Sequence, residues 1–222
     1  MQLASAIEHT LLKPEASDSA VERLCDEAEA HGFCGVCVNP MHVARVAKRL
    51  AVSANAPRVV TVVGFPLGSQ QPEIDAQCAR RCLDDGAQEL DMVISAGAAL
   101  SGDLDYVSRQ VEILREVTRG AVLKVILETG HFSATQLEAV ALAALKGAPD
   151  FLKTSTGFGP RGASVEDVLL MSRLAGDACG VKASGGIRDT KTASAMLQAG
   201  ATRIGTSCGV AIVSGEAQPS GY

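Results

Sequence analysis

Glu8, Asp91, Lys124, Glu128, Lys153 and Lys182 interrupt stretches otherwise built from Val, Leu, Ile, Met and Phe, and Arg188 stands just beyond one of them. In ELDMVIS (89–95) Asp91 lies in an apolar run, and on a strand its neighbours Leu90 and Met92 face the other way. A carboxylate buried there is costly unless a cation or a donor meets it. Lys153 closes the run DFLK, and Lys182 falls two residues into GVKAS. A lysine near a strand end ordinarily snorkels its ammonium to solvent, and Lys124 and Glu128, on one strand face, can neutralise each other. Covalent catalysis is the other use of such residues. A free lysine, with a pKa of about 10.4, is neutral in roughly one molecule in 2,500 at pH 7. Burial and a second ammonium nearby both disfavour the proton. A neutral amine adds to a carbonyl and loses water to give an imine, whose protonated form is an electron sink. Asp91 and Lys182 are suited to move protons among carbinolamine, imine and enamine.

Such chemistry needs elements that bring the three residues together. Strand-like runs cover Ile7–Leu11, Gly35–Val38, Val59–Val63, Glu89–Ile94, Val122–Glu128, Phe151–Thr154, Gly180–Ala183 and Arg203–Thr206. Helix-like runs alternate with them at Ser19–His31, Met41–Val52, Pro72–Asp85, Asp103–Thr118, Thr135–Lys146, Val165–Gly176 and Thr190–Ala199. Ser17-Asp18, Asp103, Ser133 and Asp189 are placed to cap helix starts, and Gly32, Gly86, Gly120, Gly147 and Gly200 to end helices. Strict alternation implies a parallel sheet, and eight βα units close a (β/α)8 TIM barrel. The alternative, an open doubly wound sheet, lacks its GxGxxG fingerprint here. One barrel domain is expected over residues 1–213. The polar tail SGEAQPSGY (214–222) is expected to be mobile.

In a barrel the strands bearing Lys153 and Lys182 are neighbours about 5 Å apart, and active sites form at the carboxyl ends of strands. The loops after strands seven and eight, SGGIRD (184–189) and GTSCG (205–209), are glycine-rich and open helices. Those loops commonly hold phosphate in this fold.

The bulk numbers exclude other classes. The chain has 222 residues, 47% hydrophobic but only 3% aromatic, so its core must be aliphatic, as in covered parallel strands. A net charge of −5 without a basic stripe argues against nucleic acid. No apolar run reaches the roughly 18 residues of a membrane span, and MQLASAIEHT does not read as a signal peptide. A soluble cytoplasmic protein is expected. Cys34-Gly-Val-Cys37 has CxxC spacing, but residues three apart on a strand face opposite ways, and no second CxxC or histidine pair completes a metal site. The seven cysteines are read as buried hydrophobes.

HTLLKP (9–14), VCVNP (36–40), VVGFPLG (62–68), ELDMVIS (89–95), LKVILETG (123–130), DFLKTSTGFG (150–159), VKASGGIR (181–188) and RIGTS (203–207) together resemble the deoxyribose-phosphate aldolase family, over nearly the whole chain. KTSTGF with VKASGGIR is the most specific pairing. The resemblance implies a class I aldolase interconverting 2-deoxyribose 5-phosphate with acetaldehyde and glyceraldehyde 3-phosphate. It implies a (β/α)8 barrel, often homodimeric, with no metal or organic cofactor. Residue by residue, it implies Lys153 as the Schiff-base lysine, Lys182 as the lysine that tunes it, and Asp91 as the acid/base. Thr10 and Thr156 would line the substrate, and Gly157, Gly185, Gly186 and Ser207 would hold the phosphate.

Four features depart from the family pattern. Glu8 stands where aspartate is usual. The loop after the lysine reads GFGPRGAS, which makes Arg161 either an extra phosphate contact or a solvated charge. Cys208 replaces a serine, and Tyr222, which in some members reaches the site, ends a polar tail. Two other readings stay open on the residues alone: another Schiff-base phosphosugar aldolase or transaldolase, and a non-catalytic sugar-phosphate binder. Leu11, Cys37 and Val63 are expected to close the pocket near Lys153 and limit the donor to a small aldehyde.

Overall fold

A computed structural model describes residues 3–215. Eight parallel strands form a closed barrel in sequence order: β1 (Ile7–Leu11), β2 (Gly35–Val38), β3 (Arg58–Val63), β4 (Glu89–Val93), β5 (Val122–Ile126), β6 (Phe151–Lys153), β7 (Gly180–Ser184) and β8 (Arg203–Thr206), with β8 pairing back to β1. The helices are α1 (Asp18–His31), α2 (Val43–Leu50), α3 (Pro72–Asp84), α4 (Ala96–Leu100), α5 (Leu104–Val117), α6 (Ala134–Leu145), α7 (Val165–Ala175), α8 (Thr190–Gln198) and α9 (Gly209–Ser214).

The local signals act as the sequence suggests. Ser17, Asp103, Ser133 and Asp189 each accept a hydrogen bond from a backbone amide in the first turn of the helix that follows. Ser133 and Gln136 form a reciprocal capping box. Gly32 closes α1 with φ +66, a conformation that a β-carbon disfavours. The short α4, AGAAL, is an addition to the expected helices, because five residues are too few to show a helical period. α9 extends through Ser214, and Gly215 caps it, so the last helix runs past the expected boundary at residue 213. The rest of the tail, with Tyr222, lies outside the described residues.

Alternation along the strands sorts the side chains. Leu90, Met92, Leu123, Val125, Leu152, Val181 and Ala183 point outward into one large aliphatic core under the helices. Inside the barrel the apolar content is small, with Leu12, Cys37, Val60 and Val62 in one cluster and Phe65 packed against it. Val63 belongs to the outer core, not to the pocket wall expected of it, because it is one residue out of phase with Val60 and Val62. Val93, Ile126, Ser184, Gly35 and Gly205 share the inward phase, and among them stand the charged residues Glu8, Glu89, Asp91, Lys124, Lys153 and Lys182. The strand β5 ends at Ile126 and does not reach Glu128, which turns into the left-handed region at φ +54.

Candidate active site

Register places the charged residues. Asp91 on β4 is level with Lys124 on β5, and Lys153 on β6 is level with Lys182 on β7. Lys153 Nζ donates to Asp91 Oδ2 at 2.7 Å, and Lys182 Nζ donates to the same oxygen at 2.6 Å. The other carboxylate oxygen, Oδ1, accepts from Lys124 Nζ at 3.0 Å. Lys182 also donates to Glu8 Oε2. Lys124 lies 2.5 Å from Glu89 Oε2 and 3.5 Å from Glu8 Oε1, and Arg203 approaches Glu8 at 3.9 Å. Lys124, Lys153 and Lys182 thus face Glu8, Glu89 and Asp91 in a network almost sealed from solvent.

Balanced buried charge is tolerable only when every member has a partner. Small residues make room for it. A β-carbon at Gly205 would come 3.0 Å from Lys182 Cε, and one at Gly35 would come 3.2 Å from Glu8 Cγ. The longer side chain of Glu8, compared with the aspartate usual in the resembled family, fits over Gly35 and reaches Lys182.

The lysines are not equivalent. Burial pushes the Lys153 ammonium below its ordinary value. The Lys182 ammonium pushes the same way, and Asp91 opposes both. Burial also disfavours the charge of Lys182, but Asp91 and Glu8 outweigh it and hold that ammonium well above the ordinary value. Lys124 is likewise raised, with Asp91 and Glu8 overcoming burial. Burial raises the proton affinity of the Asp91 carboxylate, but Lys124, Lys153 and Lys182 prevail and keep it well below the ordinary value. One lysine is therefore biased toward the neutral amine while its neighbour stays a cation. That is the division of labour an imine-forming site requires.

Lys153 opens into a cavity of about 310 Å³ at the carboxyl ends of the strands. Thr10, Thr156, Gly157, Gly185, Gly186 and Ser207 all line it, so every residue expected at the substrate is on its wall. Lys13 and Arg188 line it as well; Arg188 stands in the loop after β7 that the sequence marks for phosphate, whereas nothing in the position of Lys13 marks it. Gly157, Gly185 and Gly186 have φ of +88, +84 and +77, so the loops approach the cavity as bare backbone. The amino end of α8 is already occupied by the Asp189 carboxylate, which accepts from Thr192 N at 2.7 Å. Gly185 and Gly186 bring loop backbone to the cavity wall.

Several expectations change. Lys124 and Glu128 do not neutralise each other: Lys124 points into the barrel, whereas Glu128, beyond the end of β5, accepts from Thr156 N at 3.1 Å and from Thr156 Oγ1. Of the three hydroxyls after Lys153, Thr154 bonds Ser184 O at 3.0 Å, the Ser155 side chain is buried, and only Thr156 lines the cavity. Arg161 is neither a wall residue of the Lys153 cavity nor a free charge. It pairs with Asp167 and donates to Thr129 O at 3.2 Å. Cys208 is buried in the outer core. Glu89 escapes the sequence reading, although its spacing of two from Asp91 on one strand puts both on the same face.

Known proteins share this arrangement of strands and sequence. Residues 3–215 match the model of the DeoC/LacD family aldolases. The chain belongs to that family. It is 54% identical to the deoxyribose-phosphate aldolase of a Thermus thermophilus strain, over 100% of both chains. Among solved structures it is similar to "QR15, an Aldolase", with TM-score 0.90 and 37% identity over 96% of this chain and 95% of the other. It is also similar to the Aeropyrum pernix deoxyribose phosphate aldolase, described as a unique tetramer, with TM-score 0.85 and 33% identity over 96% and 89%. As an aldolase-family (β/α)8 barrel, it places the buried lysine pair where this fold keeps its active site. No helix among the described residues is long and apolar enough to cross a membrane.

Proposed function

We propose that the protein cleaves 2-deoxyribose 5-phosphate reversibly to acetaldehyde and glyceraldehyde 3-phosphate through an imine on Lys153. The observation that carries this is the shared Asp91 oxygen, which holds Lys153 and Lys182 side by side at the floor of the cavity. The neutral Lys153 amine adds to C1 of the open-chain sugar, and the carbinolamine loses water with proton transfer by Asp91 and Lys182. The protonated imine draws the C2–C3 electron pair. The bond breaks as the C3 hydroxyl gives up its proton, which leaves an enamine on Lys153 and frees glyceraldehyde 3-phosphate. Protonation of the enamine carbon and hydrolysis of the imine release acetaldehyde and restore the amine.

The phosphate would lie against Gly157, Gly185, Gly186 and Ser207, with Lys13 and Arg188 at the cavity wall supplying positive charge. Thr10 and Thr156 would meet the sugar hydroxyls. The chemistry asks for no metal or organic cofactor. Reduction with borohydride in the presence of acetaldehyde should add a two-carbon group to Lys153 alone. A modified residue elsewhere would overturn the assignment. A homodimer in the cytoplasm is part of the same proposal. Sedimentation analysis giving a monomer, or a tetramer as described for the Aeropyrum relative, would correct the first half of it.

A further inference from the structure

Glu128 takes no part in the network around Lys153, yet the chain holds it under unusual constraint. It is a non-glycine residue in the left-handed region, at φ +54 and ψ +61. The residue is 4% exposed, and its buried Oε1 has no hydrogen-bond partner among the described residues. Oε2 accepts both the Thr156 amide at 3.1 Å and the Thr156 hydroxyl. A β-carbon at Gly159 would lie 2.6 Å from Glu128 Cδ, so the loop after β6 packs its bare backbone on the carboxyl group. The two loops are joined again where Thr129 N donates to Thr154 O at 2.9 Å and Arg161 donates to Thr129 O. Glu128 and Thr156 also line a second cavity of about 390 Å³, walled by Pro66, Leu67, Phe158 and Pro160.

The hydrogen bonds of Thr156 can be counted. A hydroxyl has one proton and two lone pairs. A carboxylate only accepts, so the Thr156 proton is committed to Glu128. Phe158 N donates to Thr156 Oγ1 at 3.0 Å and uses one lone pair. What remains on Oγ1 is a single acceptor site, and Thr156 lines the Lys153 cavity. We propose that Glu128 is a positioning residue for the aldolase reaction: it fixes Thr156 as a pure acceptor, so that a water or substrate hydroxyl bound there must donate to it. A water held in that way keeps its lone pairs free to receive a proton or to attack the imine carbon. Without Glu128 the Thr156 hydroxyl can rotate and offer its own proton to the cavity, which would orient that water the wrong way.

This inference rests on the Schiff-base reading, and its test separates the two. The kcat/KM for deoxyribose 5-phosphate cleavage is measured for Glu128→Ala, Glu128→Gly, Glu128→Gln, Thr156→Val and the double variant Glu128→Ala/Thr156→Val. Glu128→Gly suits the backbone at φ +54 and guards against a folding defect. Glu128→Ala and Glu128→Gly should each lose about 30- to 100-fold, in kcat more than in KM. Glu128→Gln, whose amide oxygen can accept both Thr156 bonds, should recover to within about fivefold of wild type. In the Thr156→Val background, Glu128→Ala should cost no more than about threefold, since the partner through which it acts is gone. Full activity in Glu128→Gly, or the same factor lost with and without the Thr156 hydroxyl, would overturn the proposal. Failure of wild type to trap acetaldehyde on Lys153 would overturn the aldolase reading itself, and this inference with it.

Discussion

Replacing Lys182 by methionine should return Lys153 toward an ordinary ammonium. Their Nζ atoms meet one oxygen of Asp91 at 2.7 and 2.6 Å, which sets them no more than about 5 Å apart. At an effective dielectric of about 20, two unit charges at that distance repel by about 3 kcal/mol. Removing the repulsion multiplies the charged-to-neutral ratio of Lys153 by roughly 100. Two further changes have the same sign. Asp91 Oδ2 would serve Lys153 alone, and Glu8 would lose its close cation and add negative potential. The unbranched methionine fills most of the lysine stem, so the barrel should keep its packing. The assay is the rate of borohydride-trapped imine formation with acetaldehyde as a function of pH. The variant should trap about 100-fold more slowly at neutral pH, its profile should move to higher pH, and its deficit should shrink at the alkaline limit to the part owed to the lost proton transfer by Lys182. A profile that overlays wild type, or one that falls equally at every pH, would refute the electrostatic coupling.

Lys124→Met should leave Glu89 and Asp91 Oδ1 without their cation and destabilise the fold by about 3–5 kcal/mol in denaturant titration. Gly205→Ala should press on Lys182 Cε and the Ser184 side chain, each 3.0 Å from the new methyl, and slow turnover about tenfold without unfolding the chain. Asp75, 2% exposed, has its carboxyl pushed up to about 6 by burial, against an unfolded value near 3.9. The folded state therefore keeps the proton longer than the unfolded one, and stability should fall by on the order of 2 kcal/mol as pH rises from about 4 to about 6. Asp75→Asn should abolish that fall and unfold at higher denaturant than wild type at pH 8, with little difference at pH 4.

The fold is legible in the sequence because two periods alternate cleanly. Runs such as VVTVV and VLKVI are too short and too β-branched for helices, and the stretches between them carry caps that work as read. Where boundaries shift, the reasons are tertiary. VLKVILE reads as one strand through Glu128, but Glu128 is drawn into a left-handed turn, where it meets Thr156 on the next loop. Asp91, Lys153 and Lys182 can be brought together from strand order alone, since each is inward at neighbouring or nearby strands. Glu89 is hidden by its ordinariness, and Lys124 is visible as a charge but not as the partner of Glu89 and Asp91. A charge at a strand start such as Glu89 usually meets water, and only the closed barrel shows that it and Lys124 complete the neutralisation. Arg161 and Asp167, six residues apart in sequence, give no periodic signal of pairing, and the loop that joins them is what the sequence describes least.

On this mechanism Lys153 carries the carbon skeleton while Lys182 remains a cation beside it. Peptide mapping of the protein reduced with borohydride in the presence of acetaldehyde tests this most directly. A single two-carbon addition is expected on the peptide containing Lys153, none on Lys182 or Lys124, and no addition in Lys153→Ala. Label on Lys182 with Lys153 unmodified, or a labelled Lys153→Ala variant, would contradict it.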